Sequence, residues 1–130
     1  MKQYKLMAIA CMMLGLSVAL GAFGAHGLKA MVSPQRVESF RTGVQYQFYH
    51  SLALALAALV GQWVENRAWR TSIWCFAIGI LLFSGSLYGF AIYEAMGTEG
   101  GRWLGPVTPL GGLFFMAGWF ALAFAVWKKD

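Results

Sequence analysis

Residues 6–28 read LMAIACMMLGLSVALGAFGAHGL, a run of more than twenty positions without an Asp, Glu, Lys or Arg. Three further runs share that property: TGVQYQFYHSLALALAALVGQWV at 42–64, TSIWCFAIGILLFSGSLYGFAIY at 71–93 and WLGPVTPLGGLFFMAGWFALAFAVW at 103–127. An α-helix rises about 1.5 Å per residue and the hydrocarbon layer is about 30 Å thick, so about 20 apolar residues cross it. Each run reaches that length. The sequence therefore predicts an all-α integral membrane protein. Its expected form is a four-helix up-down-up-down bundle in a single domain over 1–130, with spans at about 6–27, 43–64, 71–93 and 103–127.

The remaining composition agrees. The chain has 130 residues, 59% hydrophobic and 12% charged, which leaves little for a soluble domain once four spans are subtracted. Its formal net charge is +5, yet no basic run exceeds two residues and every Lys and Arg falls outside the spans. That distribution fits membrane flanks, so the bilayer is the expected partner and nucleic acid is not. Lys2, Lys5, Arg67, Arg70, Lys128 and Lys129 fall on the side of both termini, against Lys29, Arg36, Arg41 and Arg102 on the other. Six against four favours termini in the cytoplasm and leaves an inverted or dual topology open. Lys2 and Lys5 ahead of an apolar run, with Ala22-Phe23-Gly24 after it, also resemble a signal peptide. However, the run exceeds the usual ~7–15 apolar residues and three more spans follow, so it reads as a retained span. Cys11 and Cys75 both lie within spans and offer neither a disulfide framework nor metal-ligand spacing.

Local signals place the elements. Ser33-Pro34 reads as an N-cap followed by proline at the first helical position, so a short interfacial helical segment should lead into span two, with Gly43 as a bend. Small residues recur every four positions at Ser17, Gly21 and Ala25, at Ala53, Ala57 and Gly61, and at Ala117, Ala121 and Ala125. Gly85 and Gly89 form a GxxxG pair. Helix packing is expected at Gly21, Gly24, Gly85, Gly89, Gly111 and Gly112, where a missing side chain lets backbones approach. Tyr4, Trp63, Trp69, Trp74 and Trp127 mark one membrane interface, and Tyr93 and Trp103 the other.

Threading the spans through the bilayer gathers the polar residues at the outer end. His26 closes span one, Tyr46, Gln47 and His50 open span two, Ser84, Ser86 and Tyr88 lie late in span three, and Thr108 begins span four. Tyr46 and His50 are four apart, Gln47 and His50 three apart, so all three can share one helix face. A polar group at that depth is costly without partners. Two accounts follow: an interhelical hydrogen-bond network, or a pocket that takes a small molecule, a lipid headgroup or a partner helix. A third has His26 and His50 as axial ligands in a haem or quinone redox protein. No carboxylate or cysteine joins the histidines, so no metal and no cofactor is expected. The spans hold no embedded carboxylate, which argues against a proton-coupled exporter, and no nucleophile stands with a base and an orienting acid. The chain is expected not to be an enzyme and to have no catalytic residue.

The segments GAFGAHGL (21–28), QYQFYHSLAL (45–54), FSGSLY (83–88) and TPLGGLFFMAGW (108–119) together resemble the YgdD-like family of uncharacterised small bacterial inner-membrane proteins. The resemblance touches all four spans and implies a multi-pass, four-helix protein of the bacterial inner membrane. It implies no activity, cofactor or catalytic residue. A membrane-protein partner or a second copy of the chain is the expected neighbour if the role is structural or in assembly.

Overall fold

The computed structural model describes residues 2–129, and all its regular structure is helical. Helix α1 (Gln3–Ala25) leads through a 3-10 turn at Gly27–Ala30 into α2 (Pro34–Val60). Helix α3 (Arg67–Gly79) passes through a π segment (Ile80–Ser84) into α4 (Gly85–Ala95) without interruption, so the three form one rod. A second 3-10 turn (Gly100–Leu104) precedes α5 (Val107–Trp127).

Three helices are long and apolar enough to cross a membrane: Gln3–Ala30, Arg67–Ala95 and Gly100–Trp127. Helix α2, which covers most of the span expected at 43–64, is not among the three. Helix α2 has 27 residues, but Gln45, Gln47, His50 and Ser51 dilute the apolar character of its inner turns, and Gln35, Arg36, Glu38 and Arg41 occupy its first turns. It also ends at Val60, ahead of a turn, and not at 64. Most of its polar side chains within the apolar stretch point inward: Gln47, His50 and Ser51 are buried.

Side-chain chemistry sets the helix ends. Ser33 caps α2, its Oγ accepting from Arg36 N at 3.3 Å with Pro34 at the first helical position. Asn66 caps α3 through a bond from Trp69 N at 3.0 Å, and its Nδ2 donates to Ala125 O at 3.0 Å, which ties the start of α3 to the end of α5. Helix α4 stops where Gly97 takes φ +71, a left-handed conformation that costs glycine little. There Thr98 N donates to Tyr93 O and Gly97 N to Glu94 O, the paired bonds of a Schellman ending.

Neighbouring rods meet end to end. Gln3 Nε2 donates to Gly61 O, so the start of α1 meets the end of α2, while at the other end Gly24 lies against the Phe40 ring. Helix α1 packs along α2 and the turn that follows it, α2 also packs along the α3–α4 rod, and α5 packs chiefly on α3 and the π segment. Glycines permit the closest approaches. A Cβ at Gly111 would strike the backbone of Phe83, and one at Gly79 the Phe115 ring. Of the six glycines expected to pack helices, Gly24, Gly89 and Gly111 meet neighbours tightly and Gly21 lies in ordinary contact with Val44. Gly85 and Gly112 face open space. Helix α2 runs unbroken through Gly43, where a Cβ would come within 3.1 Å of both Leu87 and Tyr88. Trp69 likewise departs from the expected interfacial belt. It is 2% exposed and donates its indole N–H to Ala57 O at 2.7 Å, so it is a core residue between α2 and α3.

Candidate functional site

The buried polar residues of α2 form a ladder of separate contacts to three neighbours. Gln47, about one turn after Gly43, uses both ends of its amide: Nε2 donates to Met13 O on α1 at 3.1 Å, and Oε1 accepts from Tyr88 Oη on α4 at 2.7 Å. One side chain thus links three helices. Its own backbone carbonyl accepts from Ser51 Oγ at 2.6 Å.

The π segment supplies the next rung. A π turn holds one residue more than an α turn and shifts the side chains that follow it. Here Ser84, at its end, donates from Oγ to Gly43 O at 2.6 Å, at the point where glycine brings α2 close. Beyond it, Ser86 Oγ and Thr108 Oγ1 lie 2.5 Å apart and join α4 to α5.

His50 is held by two different groups. Its Nδ1 lies 2.8 Å from Tyr46 O, and Trp119 Nε1 donates to its Nε2 at 3.2 Å. The ring stacks on Phe115, with centroids 3.5 Å apart and planes 7° from parallel. Tyr46 stacks on Phe83 at 4.6 Å and Phe76 meets Trp119 edge-on, so an aromatic cluster surrounds the imidazole.

Seven of the eight expected polar residues therefore lie along the α2, α4 and α5 contacts, in separate clasps: Gln47 with Tyr88, Ser86 with Thr108, Ser84 with Gly43, and His50 with Tyr46 and Trp119. His26 stands apart, exposed at the end of α1. The residues that the sequence did not single out are Trp119, Phe115, Phe83 and Ser51. Trp119 carried a signal: Phe115 and Trp119 are four apart on α5, and a buried histidine requires a donor or acceptor at each ring nitrogen.

Chemically, the contacts of Gln47, His50, Ser84 and Ser86 join helices, while Ser17, Ser51 and Ser72 bond their own helix. The hydroxyls of Ser17, Ser51, Ser72, Ser84 and Ser86 each donate to a backbone carbonyl of the chain. None is within hydrogen-bonding distance of a histidine nitrogen, as an activated nucleophile would be. Both ring nitrogens of His50 are engaged, and among the described residues no group of three or more His, Cys, Asp or Glu side chains converges as a metal site. Every buried side-chain nitrogen and oxygen among the described residues has a hydrogen-bond partner.

Residues 20–112 match the family described as "Protein of unknown function (DUF423)". Similar chains include a UPF0382 membrane protein of Staphylococcus haemolyticus, 37% identical over 98% of this chain and 98% of its own length. Another, from Haemophilus influenzae, is 41% identical over 86% of this chain and 85% of its own. A third, from the yeast Schizosaccharomyces pombe, is 39% identical over 80% of this chain and 86% of its own, so the family extends beyond bacteria. No solved structure matches. These relatives bear the UPF0382 name, not the YgdD-like one, and agree with the expected class of small, uncharacterised membrane proteins. With most of its length aligned to them and its central 20–112 segment matching throughout, the chain belongs to the DUF423 family of UPF0382 membrane proteins.

Proposed function

We propose that this protein is a non-enzymatic structural or assembly element of the bacterial inner membrane, a four-helix up-down-up-down bundle with cytoplasmic termini. The observation that carries this reading is that every buried side-chain nitrogen and oxygen among the described residues is paired within the chain, with interhelical clasps at Gln47–Tyr88, Ser84–Gly43, Ser86–Thr108 and His50–Trp119. Buried polar groups in such networks fix how helices dock. The end-to-end meetings of α1 with α2 and of α3 with α5 favour the alternating topology, and the six-to-four bias of basic residues favours termini inside. Helix α1 packs on one side only, and Met12, Leu16 and Val18 are exposed on the rest of its surface. That surface is where a partner helix or second copy would join. A photo-crosslinking residue at Met12 tests this in intact membranes. A reproducible protein adduct or homodimer supports the assembly role, and a monodisperse monomer with no adduct contradicts it.

A second reading gives the outward half a ligand. A hollow of about 530 Å³ bounded by Tyr49, His50 and Trp119 favours a small molecule, lipid headgroup or partner helix there. Native mass spectrometry of protein purified in mild detergent would then find a bound species that His50→Ala loses while still folded. Equal retention by the variant would remove this reading.

A further inference from the structure

Away from the clasps, the first turn of α2, the end of α4 and the turn after it enclose a cleft of about 430 Å³. Arg36 is fixed inside it. Its Nε donates to Glu94 Oε1 at 3.4 Å, and its guanidinium carbon lies 4.9 Å from the centre of the Phe90 ring. Glu94 is in turn held by Ser33 N at 2.7 Å. These contacts use the inner edge of the guanidinium, and the terminal nitrogens remain for the cleft. An arginine fork oriented in this way suits a phosphate, which accepts two parallel bonds.

Arg102 and Glu99 line the same cleft from the 3-10 turn, 3.9 Å apart and almost fully exposed. With Glu94 already committed, the lining presents two guanidinium groups and one available carboxylate. Its formal charge, counting both glutamates, is balanced. An anionic group alone would gain no net attraction from such a lining, whereas a zwitterion matches both signs. Trp103 donates to Tyr93 Oη at 3.2 Å on this rim, the aromatic placement typical of headgroup depth. On the adjacent face of α4, Ala91, Ile92 and Met96 border an apolar groove of about 880 Å³ that is also lined by Phe23 and Leu28. The charged cleft and the apolar groove thus flank the same helix end.

We propose that this cleft binds the headgroup of a zwitterionic phospholipid, with phosphate on Arg36 and Arg102, ammonium beside Glu99, and an acyl chain along the α1–α4 groove. The test is native mass spectrometry of delipidated full-length protein in detergent, offered dioleoyl-phosphatidylethanolamine, dioleoyl-phosphatidylglycerol or dioleoylglycerol. The expected order of retention is phosphatidylethanolamine first, with dioleoylglycerol at least tenfold lower. Arg102→Gln should lower retention of both phospholipids, and Glu99→Gln should move the preference toward phosphatidylglycerol. Both residues are exposed, so their variants keep the fold even if Arg36→Gln, which breaks the Glu94 clasp, does not. Equal retention of dioleoylglycerol, or unchanged binding in both exposed variants, overturns the proposal. Displacement of the lipid by soluble phosphoethanolamine at equal concentration would make a free zwitterion the ligand and overturn the lipid assignment.

Discussion

Trp119 donates its indole N–H to His50 Nε2, and that single bond fixes where the imidazole carries its proton. An indole nitrogen only donates and a backbone carbonyl only accepts. Nε2 must therefore be the acceptor, and Nδ1–H the donor to Tyr46 O. The ring is the neutral Nδ1–H tautomer, with both nitrogens used inside the chain. His50 thus joins α2 to α5.

Two adjacent glycines separate packing from propensity. At Gly111 an added methyl would meet the Phe83 backbone, which cannot rotate away, whereas at Gly112 it would meet nothing within 4 Å. Gly111→Ala should destabilise the protein by about 1–3 kcal/mol, the usual cost of overpacking. Gly112→Ala should be neutral or stabilising by up to about 1 kcal/mol, since alanine is the better helix former. Thermal unfolding in detergent measures both; equal effects would contradict the α5 placement.

Gln47 and Tyr88 provide a direct measure of a clasp. A double-mutant cycle of Gln47→Leu and Tyr88→Phe should give a coupling energy of about 0.6 kcal/mol, and no more than about 1.7 kcal/mol, the range of hydrogen bonds between membrane helices. Gln47→Leu alone should cost more than Tyr88→Phe alone, because it also releases Met13 O on α1. A coupling energy of zero by reversible unfolding would remove this bond from the account.

Asn66 acts at the opposite end of the molecule. Asn66→Ala removes both the cap on α3 and the tie to Ala125, and should lower stability by about 0.5–2 kcal/mol. Asn66→Asp keeps the capping oxygen and loses the donor. It should recover only part of that loss in the same unfolding assay.

Length and apolarity made the helices legible, and Ser33-Pro34 marked the start of α2 because capping is a local property. The polar residues of α2 were legible as inward-facing for the same reason: Tyr46, Gln47 and His50 share a face by spacing alone. What spacing does not contain is the choice of partner. Trp119 resembles any other aromatic of α5 until α5 is docked on α3. Trp69 resembles an interfacial tryptophan until Ala57 O is found beside its indole. The π segment was equally hidden, because ILLFS has ordinary helical composition and its extra residue answers to the Gly43 and Gly111 contacts on either side. Helix α2 is less apolar than the other three because Gln45, Gln47, His50 and Ser51 lie within it.

The buried polar residues of α2, α4 and α5 are closed within the chain, and ¹⁵N NMR of histidine-labelled protein reads this at His50. His50 should give separate signals for a protonated Nδ1 and an unprotonated, hydrogen-bonded Nε2, and Trp119→Phe should shift the Nε2 signal while leaving His26 unchanged. An Nε2–H tautomer at His50, or a single averaged signal exchanging with water, would contradict it.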